Sequence, residues 1–315
     1  MKTDRRFFKE LRLRQLRALV ELSHRGSFSA VAAYLRLSVV SVWRQIRSLE
    51  DEFGVKLVDA DGPQVKLSED GLMLVEMCEP LVESFLSLRT AFTDRRNRAP
   101  QKLTVAAPAD ILSDALPETV KGYRKQFPHV ELRLLDRPSR SATAALLEGQ
   151  ADIAIAGMGM GQDVEGALEL QPLIRYSMTL LCPAEHPLTG VKKITLKQIS
   201  QYPLVLSSED TSDRPLVDQA FKRAGLADKL DVALSATRIP LIMRYVALDF
   251  GVAIITLGNH APFKPRRGEK AITALDVSHL FGFEETVLLK RKGVLARPHV
   301  DAFCDMVAKA FEGLS

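Results

Sequence analysis

Along the first third of the chain apolar side chains recur at helical spacing. Leu13, Leu16, Leu19, Val20 and Leu22 fall close to one stripe within residues 11–22, which predicts an amphipathic first helix ended by Arg25-Gly26. Ser27 stands as an N-cap before Phe28-Ser-Ala-Val-Ala-Ala-Tyr-Leu35, a short helix whose alanines permit close helix-helix approach. After the Arg36-Leu37 break, Ser38 caps a third helix in which Val42, Ile46, Leu49 and Phe53 form the buried stripe until Gly54 stops it. Short alternating runs at Val55–Val58 and Val65–Leu67 flank turn-rich residues 59–64 and predict a small hairpin, or wing. Ser68 then opens a long amphipathic stretch from Leu72 to Thr93, with Leu74, Met77, Cys78, Leu81, Phe85, Leu88 and Phe92 read as one face. About 22 residues at ~1.5 Å each make a helix roughly 33 Å long, too long to pack on so small a domain. Its apolar seam, Leu74, Met77, Leu81, Phe85 and Leu88, is therefore expected to meet another subunit.

Beyond an Arg-rich linker with Asn97 and Pro100 the pattern changes to alternating strands and helices. Leu103–Ala107, Val130–Leu135 and Asp152–Ala156 read as strands, separated by helices at 111–127 and 139–148. A second series has strands near 178–182, 204–206, 231–235 and 252–256, with helices near 215–224 and 239–248. Two α/β lobes with mostly parallel sheets follow, and a cleft between them. Strand-like segments at 272–275 and 286–289 and a last helix at 300–311 are expected to return the chain to the first lobe.

Composition sharpens this picture in two places. Residues 1–47 hold 11 Lys/Arg against 3 Asp/Glu, whereas residues 48–70 hold 2 against 7, so the basic charge sits on the three-helix segment. That is the footprint of a phosphate-binding surface, although charge alone equally describes a solvated face. The three cysteines, Cys78, Cys182 and Cys304, lie far apart without metal or disulfide spacing, which fits a reducing compartment and predicts no metal site. No signal peptide or membrane span is predicted, and the cytoplasm is the expected location.

Specific motifs run through nearly the whole chain. They are Leu13-Arg-Gln-Leu-Arg-Ala-Leu-Val20, Gly26-Ser-Phe-Ser-Ala-Val-Ala32, Arg44-Gln-Ile-Arg-Ser-Leu-Glu50, Phe53-Gly-Val-Lys-Leu57 and Val65-Lys-Leu-Ser-Glu-Asp-Gly71. Later come Phe127-Pro-His-Val-Glu-Leu132, Leu147-Glu-Gly-Gln-Ala-Asp-Ile-Ala-Ile155 and Gly251-Val-Ala-Ile-Ile255. In order and spacing they resemble the LysR-type transcriptional regulators. The resemblance implies an N-terminal winged helix-turn-helix, a long linker helix that dimerises in antiparallel fashion, and a C-terminal α/β two-lobed, periplasmic-binding-protein-like effector domain. It implies residues 1–67 for DNA binding, 68–95 for the dimerisation helix and 96–102 for a hinge. Lobe 1 would take 103–165 and 270–315, and lobe 2 would take 166–269. The implied partners are double-stranded DNA, a small-molecule effector and further copies in a homodimer or homotetramer, with RNA polymerase added if the protein activates; no cofactor is implied.

The departures from the family pattern concern the recognition helix and the wing. At the start of the recognition helix, where the family carries Gln-Pro and a Ser, stand Val39, Val40, Ser41, Val42 and Trp43. The expected DNA-contacting set is Arg36, Ser38, Val39, Ser41, Trp43, Arg44, Arg47 and Lys66, with Lys56 beside it. Val39 is suited to thymine methyls; Trp43 fits either a sugar or base edge or the covering of a neighbouring helix or wing. The wing, with Ala60, Pro63 and Gln64 beside Asp59 and Asp61, lacks the family's Arg. In the effector domain the matching segments are Pro108, Ala109 and Asp110; Ser139; Thr211 and Ser212; and Thr237 and Arg238. Helix N-termini and hydroxyls there favour a small organic acid. Asp110 opposes an anion unless Arg238 offsets it, and alternatively holds an amine or faces solvent. Thr211 and Ser212 also read as caps of the next helix.

Two rival readings are weighed against a regulator. An enzyme is disfavoured, since the chain has no G-x-S-x-G, no phosphate-binding Gly loop and no metal-spaced His pair; Gly157–Gly161 reads as a lobe crossover. A degenerate regulator acting through protein contacts is favoured by Trp43 and the acidic wing, and opposed by the intact Arg44-Gln-Ile-Arg47.

Overall fold

The computed structural model describes residues 11–59, 65–96, 101–159, 166–258 and 263–313. The charged N-terminal decapeptide, the wing tip with Ala60, Pro63 and Gln64, most of the expected hinge, residues 160–165 and His260 lie outside the described residues. Two compact units result: Met1–Arg98 with Glu165–Ala167 and Arg291–Ala296, and Ala99–Val164 with Leu168–Lys290 and Arg297–Ser315.

Local chemistry sets the boundaries of the first unit. Helix α1 (Leu13–Arg25) ends where Gly26, at φ 66, donates its N–H to Leu22. Helix α2 (Phe28–Leu35) begins where Ser27 Oγ accepts the Ala30 N–H at 3.2 Å. Helix α3 (Val39–Phe53) begins on Ser38, whose Oγ accepts the Ser41 N–H at 3.1 Å, and stops at left-handed Gly54. The three helices bury Leu16, Leu19, Leu22, Val31, Val42, Ile46, Leu49 and Leu57 in one core. The wing is the antiparallel pair β1 (Val58–Asp59) and β2 (Lys66–Leu67).

Helix α4 (Glu69–Arg95) is capped by Ser68 Oγ, which accepts the Gly71 N–H at 3.0 Å. A Cβ at Gly71 would run into the Leu57 carbonyl, so glycine lets this helix start against the wing. The apolar arc of α4 is wider than one seam. Val75, Cys78 and Val82 are buried in the core of α1–α3, and His24 Nε2 meets Glu79 Oε1 at 2.8 Å. Full burial of side chains of this size is worth roughly 1.5–3 kcal/mol each. Leu74, expected in the subunit seam, packs half-buried against this same core. The correction is geometric: the buried Val75, Cys78 and Val82 centre roughly 100° around the helix from Met77, Leu81, Phe85 and Leu88, and Leu74 lies between the two arcs. Those four, with Met73 and Phe92, are exposed, Leu81 at 61% and Phe85 at 58%.

In the second unit the strands are β3 (Lys102–Ala107), β4 (Glu131–Asp136), β5 (Ile153–Gly159), β6 (Leu168–Pro183), β7 (Leu204–Ser207), β8 (Val232–Ala236), β9 (Val252–Thr256), β10 (Ile272–Asp276) and β11 (Phe283–Arg291). Their order is β4-β3-β5-β11-β6-β9-β7-β8, with β10 also on β6. The expected parallel pairing holds for β4/β3/β5 and β9/β7/β8; the strands that cross between lobes, β11 on β5 and β6 on β9 and β10, pair antiparallel. Each lobe has helices on both sheet faces. Tyr123 of α5 (Pro117–Gln126) and Phe303, Val307 and Phe311 of the C-terminal helix (Pro298–Glu312) cover one face of lobe 1; Ala142 and Leu146 of α6 (Ser139–Leu147) cover the other. In lobe 2 one face takes Val217 and Phe221 of the helix Arg214–Arg223, and the other takes Ile242 and Val246 of the helix Ile239–Ala247.

Three expectations change. The helix expected over 111–127 is a π-helical turn, Ile111–Ala115, followed by α5, because Pro117 has no N–H to continue the ladder and suits a first turn instead. Strand β6 begins at Leu168, ten residues before the strand read from sequence. Residues 272–281, expected in lobe 1, belong with lobe 2: β10 pairs with residues 179–183, and Val277 and Phe281 enter the lobe 2 core. The return to lobe 1 comes at Gly282, held at φ 81 before β11.

Arg36 caps α2 in the left-handed region, at φ 54, where a side chain costs about 1 kcal/mol relative to glycine. Arg36→Gly should therefore stabilise the first unit by about that amount. Urea unfolding followed by the emission of Trp43, the single tryptophan, reads this unit alone; an unchanged or lower midpoint contradicts the strain.

Candidate functional site

The expected DNA-contacting residues gather on the turn between α2 and α3 and along the open face of α3. Ser38 and Ser41 are engaged with each other, Oγ to Oγ at 2.7 Å, as well as in the cap, so neither hydroxyl is idle. What that end of α3 offers outward is apolar: Val39, Val40 and Trp43 are all exposed, Trp43 at 48%. No described neighbour buries Trp43, and the guanidinium of Arg47 stands 5.3 Å from its ring centroid. Arg47 and Lys56 are both tethered to Glu50, at 2.7 and 3.4 Å. Burial pushes the Glu50 carboxyl up, but the Leu57 N–H, Arg47 and Lys56 outweigh it and hold the group below its ordinary range. Arg36, Arg44 and Lys66 are exposed and make no ion pair among the described residues. Arg36 and Arg44 flank the apolar patch; Lys66 stands on the wing strand β2.

In the second unit a cavity of about 780 Å³ opens between the lobes. All eight residues expected from sequence, Pro108, Ala109, Asp110, Ser139, Thr211, Ser212, Thr237 and Arg238, line it. Their polar groups are largely committed to the protein. Ser139 Oγ accepts the Gly157 N–H at 3.0 Å and lies 3.2 Å from Ser212 Oγ, bridging the lobes. Thr211 Oγ1 donates to the Ser208 carbonyl at 2.7 Å, and Thr237 Oγ1 lies 2.7 Å from Ser208 Oγ. Neither Thr211 nor Ser212 caps the following helix, whose N-cap position is taken by Asp213. Arg238 is bound to Asp136 and so does not serve as the counter-ion of Asp110.

The residues that sequence reading missed form the floor of the cleft. Asp213 (6% exposed) and Glu284 (8% exposed) are buried there beside Tyr176, Ser207, Thr256 and Thr286. Ser207 Oγ donates to Asp213 Oδ2 at 2.7 Å, and the hydroxyls of Thr256 and Ser212 hydrogen-bond to Glu284. Burial, then the neighbouring Asp213 and, more weakly, Asp110, push Glu284 up to about 8 despite those hydroxyls. Asp213 is likewise raised by burial, against the hydroxyls of Thr211 and Ser207. Gly157 makes room for this arrangement, because a Cβ there would collide with Glu284 Oε1 and Ser212 Oγ. An available signal was the pair of acids interrupting Phe283-Glu-Glu-Thr-Val-Leu-Leu289, an otherwise apolar strand; Asp213 sits one residue past the segment that was singled out.

All three cysteines are buried, and burial pushes their thiols up to about 11 or 12, which leaves no ready nucleophile among them. Among the described residues no group of His, Cys, Asp and Glu is arranged to hold a metal, and no helix is long and apolar enough to cross a membrane.

A winged helix-turn-helix in one unit and a two-lobed ligand cleft in the other define a ligand-responsive DNA-binding regulator. Comparison with known proteins agrees at both ends. Residues 13–72 match the bacterial regulatory helix-turn-helix protein, lysR family, and residues 96–312 match the LysR substrate binding domain. The chain is 30% identical over 298 residues to the HTH-type transcriptional regulator cbl of Escherichia coli, covering 94% of this chain and 92% of that protein. It is 28% identical to the HTH-type transcriptional regulator SsuR of Burkholderia cenocepacia, covering 95% of each. Among solved structures, the cofactor-binding domain of the Cbl transcriptional regulator matches at TM-score 0.56 with 31% identity, over 67% of this chain and 90% of that one. HinK of Pseudomonas aeruginosa, a LysR family transcriptional regulator, shares the fold at TM-score 0.57 with 21% identity, over 96% and 99%. The chain belongs to the LysR family of transcriptional regulators, whose DNA binding or activation is controlled by a small-molecule effector.

The buried carboxyls dictate how ligand-free stability responds to pH. A carboxyl whose folded pKa is raised keeps its proton after the unfolded chain has lost it, so its effect is a fall in stability as pH rises from the unfolded value to the folded one. For Glu284 that window runs from about 4.5 to about 8. The melting temperature should therefore drop across it, and Glu284→Gln should remove much of that drop; parallel profiles for the two proteins contradict the buried carboxyl.

Proposed function

We propose that the protein works in the cytoplasm as a homodimer or homotetramer that holds double-stranded DNA through α3 and responds to a small molecule in the cleft of its second unit, with no catalytic step. The observation that carries the effector reading is convergence: four segments separated by up to 130 residues line one cavity. A segregated ligand site and DNA site then communicate through the assembly, and RNA polymerase is a further partner if the outcome is activation. Domain limits in this reading are the helix-turn-helix and wing through Leu67, the linker helix α4, and two lobes that exchange chain within β6, between Ile174 and Met178, and at Gly282.

The exposed stripe Met77, Leu81, Phe85 and Leu88 on α4 supports pairing with a second copy, since that much apolar surface favours burial. Leu81→Glu with Phe85→Glu should turn the full-length protein monomeric in light scattering and weaken operator binding, because paired half-sites need a two-fold partner. An unaltered oligomer in the double variant contradicts this seam.

On DNA, Arg36, Arg44 and Lys66 supply phosphate or base contacts, while Val39, Val40 and Trp43 meet the major groove as an apolar patch. Thymine is the base that presents a methyl group there. Replacing operator thymines by uracil, which deletes only that methyl, should weaken specific binding by roughly 1–3 kcal/mol at a contacted position and leave Trp43→Ser protein indifferent to the exchange. Equal binding of both DNAs by the wild type contradicts methyl readout; Trp43 emission on DNA addition reports contact independently.

A further inference from the structure

The cleft floor is built to receive positive charge. We propose that the effector carries a positively charged nitrogen, an ammonium or amidinium group, seated against the carboxyls of Asp213 and Glu284 with Asp110 facing the same space. This rests on the reading of the cleft as the effector site and narrows it to one chemical class.

Three observations converge on it. First, the protein's own donors are already turned onto the acids. The Gly157 N–H donates to Ser139 Oγ at 3.0 Å, Ser139 bonds Ser212 at 3.2 Å, and Ser212 meets Glu284; Ser207 Oγ donates to Asp213 Oδ2 at 2.7 Å. A ligand reaching this floor meets acceptors, so it must bring donors. Second, two of the three lining arginines are spent elsewhere, Arg238 on Asp136 and Arg244 on Glu269, and the third, Arg266, is exposed at the cavity wall and is not among the charges that act on Glu284. The charges that act on Glu284 are those of Asp213 and Asp110, both negative, and an oxyanion placed there would add a further like charge in a water-poor site. Third, Thr286, only 3% exposed, lines the cavity, where its hydroxyl oxygen adds a further acceptor beside the two acids. It lies two residues from Glu284 on the same face of β11 and opposite Gly157. A metal ion is the other cation to weigh, but no described group of three ligating side chains is arranged for one, and a cavity of about 780 Å³ suits an organic molecule.

Without an effector the floor keeps a proton between its two acids, and the incoming cation takes that proton's place. Binding therefore releases close to one proton to solvent at neutral pH, and affinity climbs with pH toward 8.

The test uses full-length protein at pH 7.5 with putrescine, agmatine, L-arginine and ethanolamine as cationic probes, and sulfate, acetate and succinate as anionic ones. Thermal shift selects binders, and calorimetry in two buffers of different ionisation heat counts protons. We expect at least one cationic probe to raise the melting temperature and to bind with proton release. Its affinity should fall about 30-fold or more in Glu284→Gln and in Asp213→Asn, as for loss of one member of a buried charge pair. Both variants remove a buried charge, so both should stay folded, and far-ultraviolet circular dichroism verifies it. Stabilisation by anionic probes alone, indifference of a cationic binder to both variants, or silence of every cationic probe overturns the charge assignment. Thr211→Trp separates this from the underlying reading, since it narrows the cleft from a half-buried wall position. An anion that Thr211→Trp excludes leaves the cleft as the effector site and refutes only its charge; a binder that Thr211→Trp does not affect refutes the cleft itself.

Discussion

One sixteen-residue strand, β6, must serve two sheets at once, and the effector unit depends on that constraint. Its first half places Leu173 and Ile174 against the lobe 1 core, and its second half contributes Met178, Leu180 and Cys182 to lobe 2. β11 accompanies it back, pairing with β5 along residues 284–289. Where these strands cross, the sheets cannot both be covered by helices, so the crossing becomes the floor of a cleft. Tyr176 lies at the middle of β6, Glu284 at the start of β11, and Gly157 and Thr256 near the ends of the neighbouring β5 and β9, and this is why the floor is polar while the sheet on either side is apolar.

The long helix obeys a related economy of surface. A 27-residue helix cannot be covered by three short ones, and α4 answers with two apolar stripes instead of one. Val75, Cys78 and Val82 complete the core of the first unit; Met77, Leu81, Phe85 and Leu88 remain outside it. Because the stripes adjoin, a polar substitution on the outer one leaves the inner packing in place, and assembly can be altered without melting the DNA-binding core.

How much of this could be read from the sequence follows from how local each signal is. Gly26, Ser27, Ser38, Gly54 and Ser68 act on backbone groups within three or four residues, and the helices of the first unit start and stop on them. The first half of β6 was invisible because Pro172 and the adjacent pair Leu173-Ile174 break the alternation that Leu168-Glu-Leu-Gln171 begins, and only pairing with β11 makes it a strand. The same non-local dependence hid the lobe of β10, since nothing within residues 272–276 announces that they pair with 179–183. Leu74 was misplaced because a stripe drawn through every apolar position of α4 merges two faces. For the cleft, motif position brought eight residues to one cavity, yet the two acids that set its charge were missed. Their signal is a burial that a linear pattern does not report.

The recognition helix and the cleft lie on different units with separate cores, and in both the groups that decide recognition stand beside the ones that hold the backbone. On α3 the polar readers are replaced by Val39, Val40 and Trp43, while Ser38 and Ser41 remain as caps, so the helix keeps its start and changes what it presents. In the cleft Ser139 and Ser212 hold the lobes to each other, and selectivity falls to the groups behind them, Asp213 and Glu284. In each case the residue at the motif position maintains geometry and its neighbour sets the chemistry. A substitution that changes recognition without disturbing the fold is therefore expected one step away from the motif, where the side chain is not already spent on the backbone.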